Sequence, residues 1–220
     1  AIALRPAAAQ ETRFFRLSTG TVTGTYFAIG GLLADALGSP PGTPPCEEGG
    51  SCGVPGLGVV ANSSSGSVDN VKAVQGGDAE GALVQSDIAF WAFEGAGPFE
   101  GRPPAERLRA VANLYPEAVH LVAHPQAGIR SVHDLRGKRV ALDDFGSGTL
   151  ADARLILAAW GLSETTLIPF YIKIVPAVAA MERGEIDAFF MTGGYPLSLV
   201  SEAVRTTGAV LVKISVYPES

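Results

Sequence analysis

An apolar run, then a turn of Gly, Ser and Thr, then a helix-like segment: this unit recurs along the chain and most constrains its fold. Arg13–Thr19 leads into Ser18-Thr19-Gly20-Thr21-Val22-Thr23-Gly24-Thr25-Tyr26 and a helix over Phe27–Leu37. Ile29, Leu33 and Leu37 recur four apart in it, on one helical face. Leu57–Asn62 leads into Ser63-Ser64-Ser65-Gly66-Ser67 and a helix over Val68–Gln75, stopped by Gly76-Gly77. Ala82–Val84 is a further strand, closed by Gln85-Ser86-Asp87. Arg139–Leu142 leads into Gly146-Ser147-Gly148-Thr149 and a helix over Leu150–Trp160. Leu167–Tyr171 is a strand, Pro176 marks the N1 position of a helix ending at Gly184, and Ile186–Met191 is a strand closed by Thr192-Gly193-Gly194. Strands alternating with helices predict an α/β fold of mostly parallel sheet.

A weak internal repeat predicts two such units. The segment 73–84 resembles 180–190: each runs from a helix through a glycine stop and acidic residues into a buried strand. The expected architecture is two similar lobes, 10–116 and 117–220, with the crossover near Tyr115-Pro116. The 220 residues, 47 % hydrophobic, suffice for both cores.

In open α/β sheets ligands sit at the carboxyl ends of the strands, where both Gly/Ser/Thr loops fall. Hydroxyls and first-turn amides there form a cradle for an anion. Thr21, Thr25 and Tyr26, with Ser67 and Gln85, would face a ligand from one lobe. Ser147, Gly148, Thr149 and Thr192 would face it from the other. Asp143-Asp144 beside the second loop would brace it or meet a ligand ammonium.

Enzyme templates fail at these loops. Gly146-Ser147-Gly148-Thr149-Leu150 is not a Gly-x-Ser-x-Gly elbow. Gly20–Tyr26 lacks the P-loop lysine, and neither loop carries Gly-x-Gly-x-x-Gly. Of the three histidines, His120 is placed near the cleft and His124 and His133 in solvent. No His, Cys and carboxylate spacing suits a metal, so neither metal nor cofactor is expected. The alternative is an enzyme using the hydroxyl-rich cleft as a phosphate or acyl site, with a base near Ser147 or Thr21. A ligand-sensing domain on the same fold is a further one. A net charge of −6 gives no reason to expect nucleic acid as a partner.

Two features concern the compartment. Residues 1–9, with Ala7-Ala8-Ala9 at their end, match the small-residue pattern of a cleaved secretory signal. Cys46 and Cys52, the two cysteines of the chain, lie six apart in a Pro/Gly-rich stretch and predict a disulfide.

An ordered series of motifs adds to this reading. It runs through Thr19-Gly20-Thr21 and Gly24-Thr25-Tyr26, Gly66-Ser67-Val68-Asp69-Asn70, Leu83-Val84-Gln85-Ser86-Asp87 and Gly97-Pro98-Phe99-Glu100-Gly101. It continues with Asn113-Leu114-Tyr115-Pro116-Glu117, Leu135-Arg136-Gly137-Lys138-Arg139-Val140, Gly146-Ser147-Gly148-Thr149 and Asp187-Ala188-Phe189-Phe190-Met191-Thr192-Gly193-Gly194. The series, from Phe15 to about Ile214, resembles the TAXI family of extracytoplasmic solute receptors, which serve tripartite ATP-independent periplasmic (TRAP) transporters. The resemblance implies a type II periplasmic-binding-protein fold and a periplasmic location. It implies capture of a small organic acid, glutamate-like or a dicarboxylate, and delivery to a TRAP membrane permease, without catalysis. Carried over, the pocket residues are Thr21, Thr25, Tyr26, Ser67, Gln85, Ser147, Thr149 and Thr192. Members of that family run longer, which implies that the C-terminal part of the first lobe is missing from residues 1–220. Ile172-Lys173-Ile174 is more apolar than the family pattern.

Overall fold

The computed structural model describes residues 12–215. The secretory-signal expectation, on residues 1–9, lies outside them. Two five-stranded sheets follow one another along the chain.

The first half contains β1 (Arg13–Ser18), α1 (Thr25–Leu37), β2 (Gly38–Ser39), β3 (Val54–Pro55), β4 (Leu57–Asn62), α2 (Ser67–Gly76), β5 (Gly81–Ala82) and α3 (Ser86–Glu94). Its sheet order is β3-β2-β4-β1-β5. β1 lies parallel to β4, Arg13 opposite Leu57, and parallel to β5. β2 runs antiparallel to β4. A disulfide joins Cys46 to Cys52 in the loop between β2 and β3, its Cα atoms 4.7 Å apart.

The second half contains β6 (Ala118–Ala123), β7 (Arg139–Ala141), α4 (Gly148–Ala159), β8 (Ile168–Phe170), α5 (Ile174–Glu182), β9 (Ala188–Gly193), α6 (Ser198–Thr207) and β10 (Val210–Val212). Its order is β10-β6-β9-β7-β8. β7 is parallel to both neighbours, whereas β6 is antiparallel to β9 and β10.

Both sheets are mixed: the first is mostly parallel, as the alternation predicted, with β2 against β4 its antiparallel pair, and the second divides evenly between parallel and antiparallel pairs. Other details also differ. The apolar run Leu108–Leu114 ahead of the Tyr115-Pro116 crossover is irregular, and Val111 is 96 % exposed. Pro176 is the third residue of α5, still in the first turn, whose amides need no intrahelical partner. β9 extends through Thr192-Gly193.

Alternation of side chains across the second sheet explains its two cores. Leu121, Val140 and Phe190 face one side and pack with Leu150, Ala153 and Leu157 of α4. Their neighbours Val122, Ala141 and Phe189 face the other, against Ala177 and Met181 of α5 and Ala203 of α6. Ile172 and Ile174 belong to this second core, which accounts for the apolar run around Lys173. A third cluster joins Val68 and Val71 of α2 to Ile88 and Ala92 of α3, with Ala151 of α4 reaching it from the second half. The outer face of the first half is less covered: Phe14, Leu32 and Phe90 are exposed.

Candidate functional site

β1, β4, β5, β7 and β9 all end toward the seam between the two sheets, so their following loops meet there. One cavity opens among these loops. Its wall includes Thr21, Thr25, Tyr26, Ser67 and Gln85 from the first half and Ser147, Gly148, Thr149 and Thr192 from the second. The structure thus brings all nine sequence-predicted residues to one wall.

A buried asparagine fixes the first loop. Asn70 on α2 is fully buried. Its Nδ2 donates to the carbonyls of Thr19 and Leu83 at 2.5 and 2.6 Å. Its Oδ1 accepts from Ser18 Oγ at 2.7 Å and Ser64 Oγ at 2.6 Å. One amide therefore ties the ends of β1 and β4 to the segment after β5, and every polar atom of its side chain is satisfied.

Ser67, at the start of α2, accepts the Gln85 backbone N–H at 3.1 Å and donates to Gln85 Oε1 at 3.2 Å. This hydroxyl therefore orients the Gln85 side chain. Gln85 Nε2 crosses the seam to Asp152 Oδ2 at 2.7 Å. Thr192 Oγ1 reaches the same oxygen at 2.7 Å, and the Thr192 backbone N–H donates to Thr149 Oγ1 at 3.1 Å. Ser147 caps α4, its Oγ accepting from Leu150 N at 3.0 Å. Gly148 and Thr149, the first residues of α4 at its positive end, line the cavity.

The seam is tight. The Asp69 backbone N–H, on α2, donates to the Gly146 carbonyl at 3.1 Å. A Cβ at Gly146 would run into the Asp69 carboxylate, and one at Gly148 into the Gln85 carboxamide. Lys173 Nζ bridges the halves, donating to Ser65 O at 3.1 Å and Asp144 Oδ1 at 3.0 Å.

Of the carboxyl groups at the site, sequence reasoning singled out Asp143 and Asp144 but left out Glu117 and Asp152. Glu117 and Asp143 line the cavity. Glu117 accepts from Tyr26 Oη at 2.8 Å, and burial raises its carboxyl above the ordinary range. Burial also pushes Asp143 up to about 6, against the pull of the Asp144 amide and Lys173. Asp143 has φ 70°, an unusual backbone for a residue other than glycine. Asp152, 6 % exposed, is pushed up to about 7 by burial, with the Asp87 carboxyl adding to the rise. The antiparallel course of β6 brings Glu117 here: Ala118 pairs with Gly193, so the start of β6 lies at the end of β9. A parallel-sheet expectation gives no such signal.

His120 is buried beside the seam, 3.3 Å from Met191 O, and stacks on Tyr195. It does not line the cavity. His133 is exposed and His124 partly so.

The NMT1-like family model matches residues 17–218. The chain belongs to the NMT1-like family. Solved structures are similar to this member throughout most of its length. The alkanesulfonate-binding protein SsuA of Xanthomonas axonopodis pv. citri, bound to MOPS, is 20 % identical with a TM-score of 0.53. The match covers 94 % of this chain and 62 % of that one. The periplasmic aliphatic sulphonate binding protein SsuA of Escherichia coli is 19 % identical with a TM-score of 0.50, over 91 % of this chain and 56 % of that one. An amino acid ABC transporter substrate-binding protein, AbpA of Streptococcus pneumoniae bound to L-arginine, is 16 % identical with a TM-score of 0.51, over 90 % and 74 %. The chain thus spans less than two thirds of the two sulfonate-binding proteins. Its α/β fold of two mixed sheets is that of periplasmic solute-binding proteins, and these three similar structures are binding proteins rather than enzymes.

Proposed function

We propose that the chain is the solute-capturing part of an extracytoplasmic receptor. It holds a small organic acid between two lobes, 10–116 and 117–220, and hands it to a membrane permease of the TRAP type. One observation carries this reading: hydroxyls and helix starts from both halves surround a single shared cavity. The start of α4, with Ser147, Gly148 and Thr149, suits the acid's anionic group. Thr21, Thr25, Tyr26, Ser67, Gln85 and Thr192 suit its remaining polar atoms.

Glu117 and Asp143 refine the choice of acid. A plain dicarboxylate would meet two carboxyl groups on the wall; a glutamate-like zwitterion places its ammonium there. The similar proteins bound to MOPS and L-arginine add sulfonates and basic amino acids to the ligands worth testing.

The enzyme alternative retains one observation in its favour: Asp143 lines the same cavity as Ser147. Ser147 is, however, 4 % exposed and committed as the α4 cap. A carboxylate is also a weak base for a serine hydroxyl.

The test is a thermal-shift panel of glutamate, aspartate, glutarate, succinate, arginine, taurine and MOPS. A ligand at 100 times its Kd adds about 2.7 kcal/mol, which raises the Tm by about 5–10 °C for a chain this size. Glutamate is expected to shift the folded protein and to return chemically unchanged. A panel without any shift overturns the receptor reading, and turnover of a bound compound favours the enzyme.

A further inference from the structure

Lys173 stands where its own helix gains nothing from it. It is the N-cap of α5, in extended backbone, with no side-chain bond to the helix amides. A lysine has no acceptor to offer them, and its charge opposes the positive end of the helix. The residues on either side hold it there, since Ile172 and Ile174 sit in the second core. The Lys173 side chain leaves that core toward the seam.

Its two partners lie in different halves. Asp144 Oδ1, 3.0 Å from Nζ, belongs to the second half, as Lys173 does. Ser65 O, 3.1 Å from Nζ, belongs to the first. Both side chains of the ion pair are 27 % exposed, so water and salt screen them less than a surface pair. Asp144 therefore aims the ammonium from within one half, and Ser65 receives it from the other. The segment that presents the Ser65 carbonyl is braced. The Ser64 backbone N–H donates to Gly20 O at 3.1 Å, and Ser64 Oγ donates to Thr19 O at 2.9 Å. Ser65 and Gly66 line the cavity from the first half, and Asp143 and Ser147 line it from the second. Lys173 is not part of that wall.

We infer that Lys173 is the clasp of the cleft, a positioning residue that touches no ligand and sets how long a ligand is kept. Shutting brings Ser65 O to an ammonium already aimed by Asp144. Opening breaks that one charge-assisted bond and leaves the ion pair intact. The bond exists only in the shut form, after a ligand has entered, so it slows release and leaves capture unchanged. The two isoleucines fix the lysine backbone to the second core, so its hold on Ser65 draws on a whole half rather than a loop. The inference rests on the receptor reading only in requiring a cleft that opens.

Lys173→Met keeps an unbranched side chain and removes the ammonium. Spin labels on Asp35→Cys of α1 and Glu202→Cys of α6, both exposed, read the opening in the full chain with its disulfide formed. Lys173→Met should lower the ratio of shut to open distances about tenfold, as the loss of one hydrogen bond from a charged group implies. Stopped-flow mixing with glutamate should show release about tenfold faster and association within about twofold of wild type. Asp144→Asn keeps an acceptor oxygen and only loosens the aim, so release should quicken about threefold. Added to Lys173→Met it should change nothing further, because it acts through the lysine. A wild-type distance distribution in Lys173→Met overturns the inference, as does an Asp144→Asn effect that persists in full without the lysine. A ligand-stabilised protein in which Lys173→Met matches wild type loses this inference and keeps the receptor reading. Distances that respond to Lys173→Met in a protein that no ligand stabilises do the reverse.

Discussion

Asn70 shows how much one residue holds. It is fully buried and makes four hydrogen bonds to three strand ends. Asn70→Ala would strip the Leu83 carbonyl and the Ser18 hydroxyl of this partner, while the Ser64 hydroxyl and the Thr19 carbonyl keep their bond to each other, so urea unfolding should report a loss of about 2–4 kcal/mol. Gly148 makes the opposite point, since the room there is taken by the Gln85 carboxamide. Gly148→Ala should leave stability within about 1 kcal/mol but weaken ligand binding at least tenfold, measured by calorimetry, because the cleft cannot shut over the extra methyl. Equal affinity in the variant would place the cavity outside the binding path. The hydroxyl-bearing residues were legible in the sequence because they fell together at one edge of the expected sheets, although any one Ser or Thr at a helix start serves as readily as a cap. Glu117 and Asp152 were not, nor was the burial of Asp143, because a carboxylate in a sequence looks the same whether a later fold solvates or buries it.

At the scale of elements, the strand–turn–helix units were legible from periodicity and from glycine stops such as Gly77 and Gly161, both at positive φ. Strand direction was not. Nothing local to Ala118–Ala123 says that it runs antiparallel to β9; that follows from where the crossover delivers the chain. α3 was also missed, because Ser86-Asp87 closes a strand as readily as it starts a helix. The disulfide follows from spacing alone. Its loop is short, so reduction should cost about 2 kcal/mol, visible as a lower urea midpoint with the second half unaffected. Phe189 is 1 % exposed between α5 and α6. Phe189→Ala should cost about 3–5 kcal/mol by leaving a void there, a larger loss than any single change on the exposed outer face of α1.

For the whole molecule, charge and folding are linked through the buried acids. Asp143 and Asp152, raised to about 6 and 7, favour the folded state while protonated. Their contribution is complete below the ordinary carboxyl range and is lost as pH rises to 7. Asp187 beside Arg139, and Asp134 under the Arg130 and Ser131 amides, are lowered instead and lose their contribution in acid. Urea midpoints taken from pH 3 to pH 9 should therefore peak near pH 4–5, below the usual neutral optimum. A maximum at pH 7 or above would mean that the raised acids are solvated. Asp143→Asn and Asp152→Asn should each flatten the alkaline side of that curve.

The main-chain bond from Asp69 to the Gly146 carbonyl has one more consequence. It joins the two halves without any side chain, so it breaks whenever they part and re-forms whenever they meet. That single amide proton is a clock for the cleft. Solvent deuterium reaches it at the frequency of parting, well before the neighbouring amides inside α2 are released by unfolding.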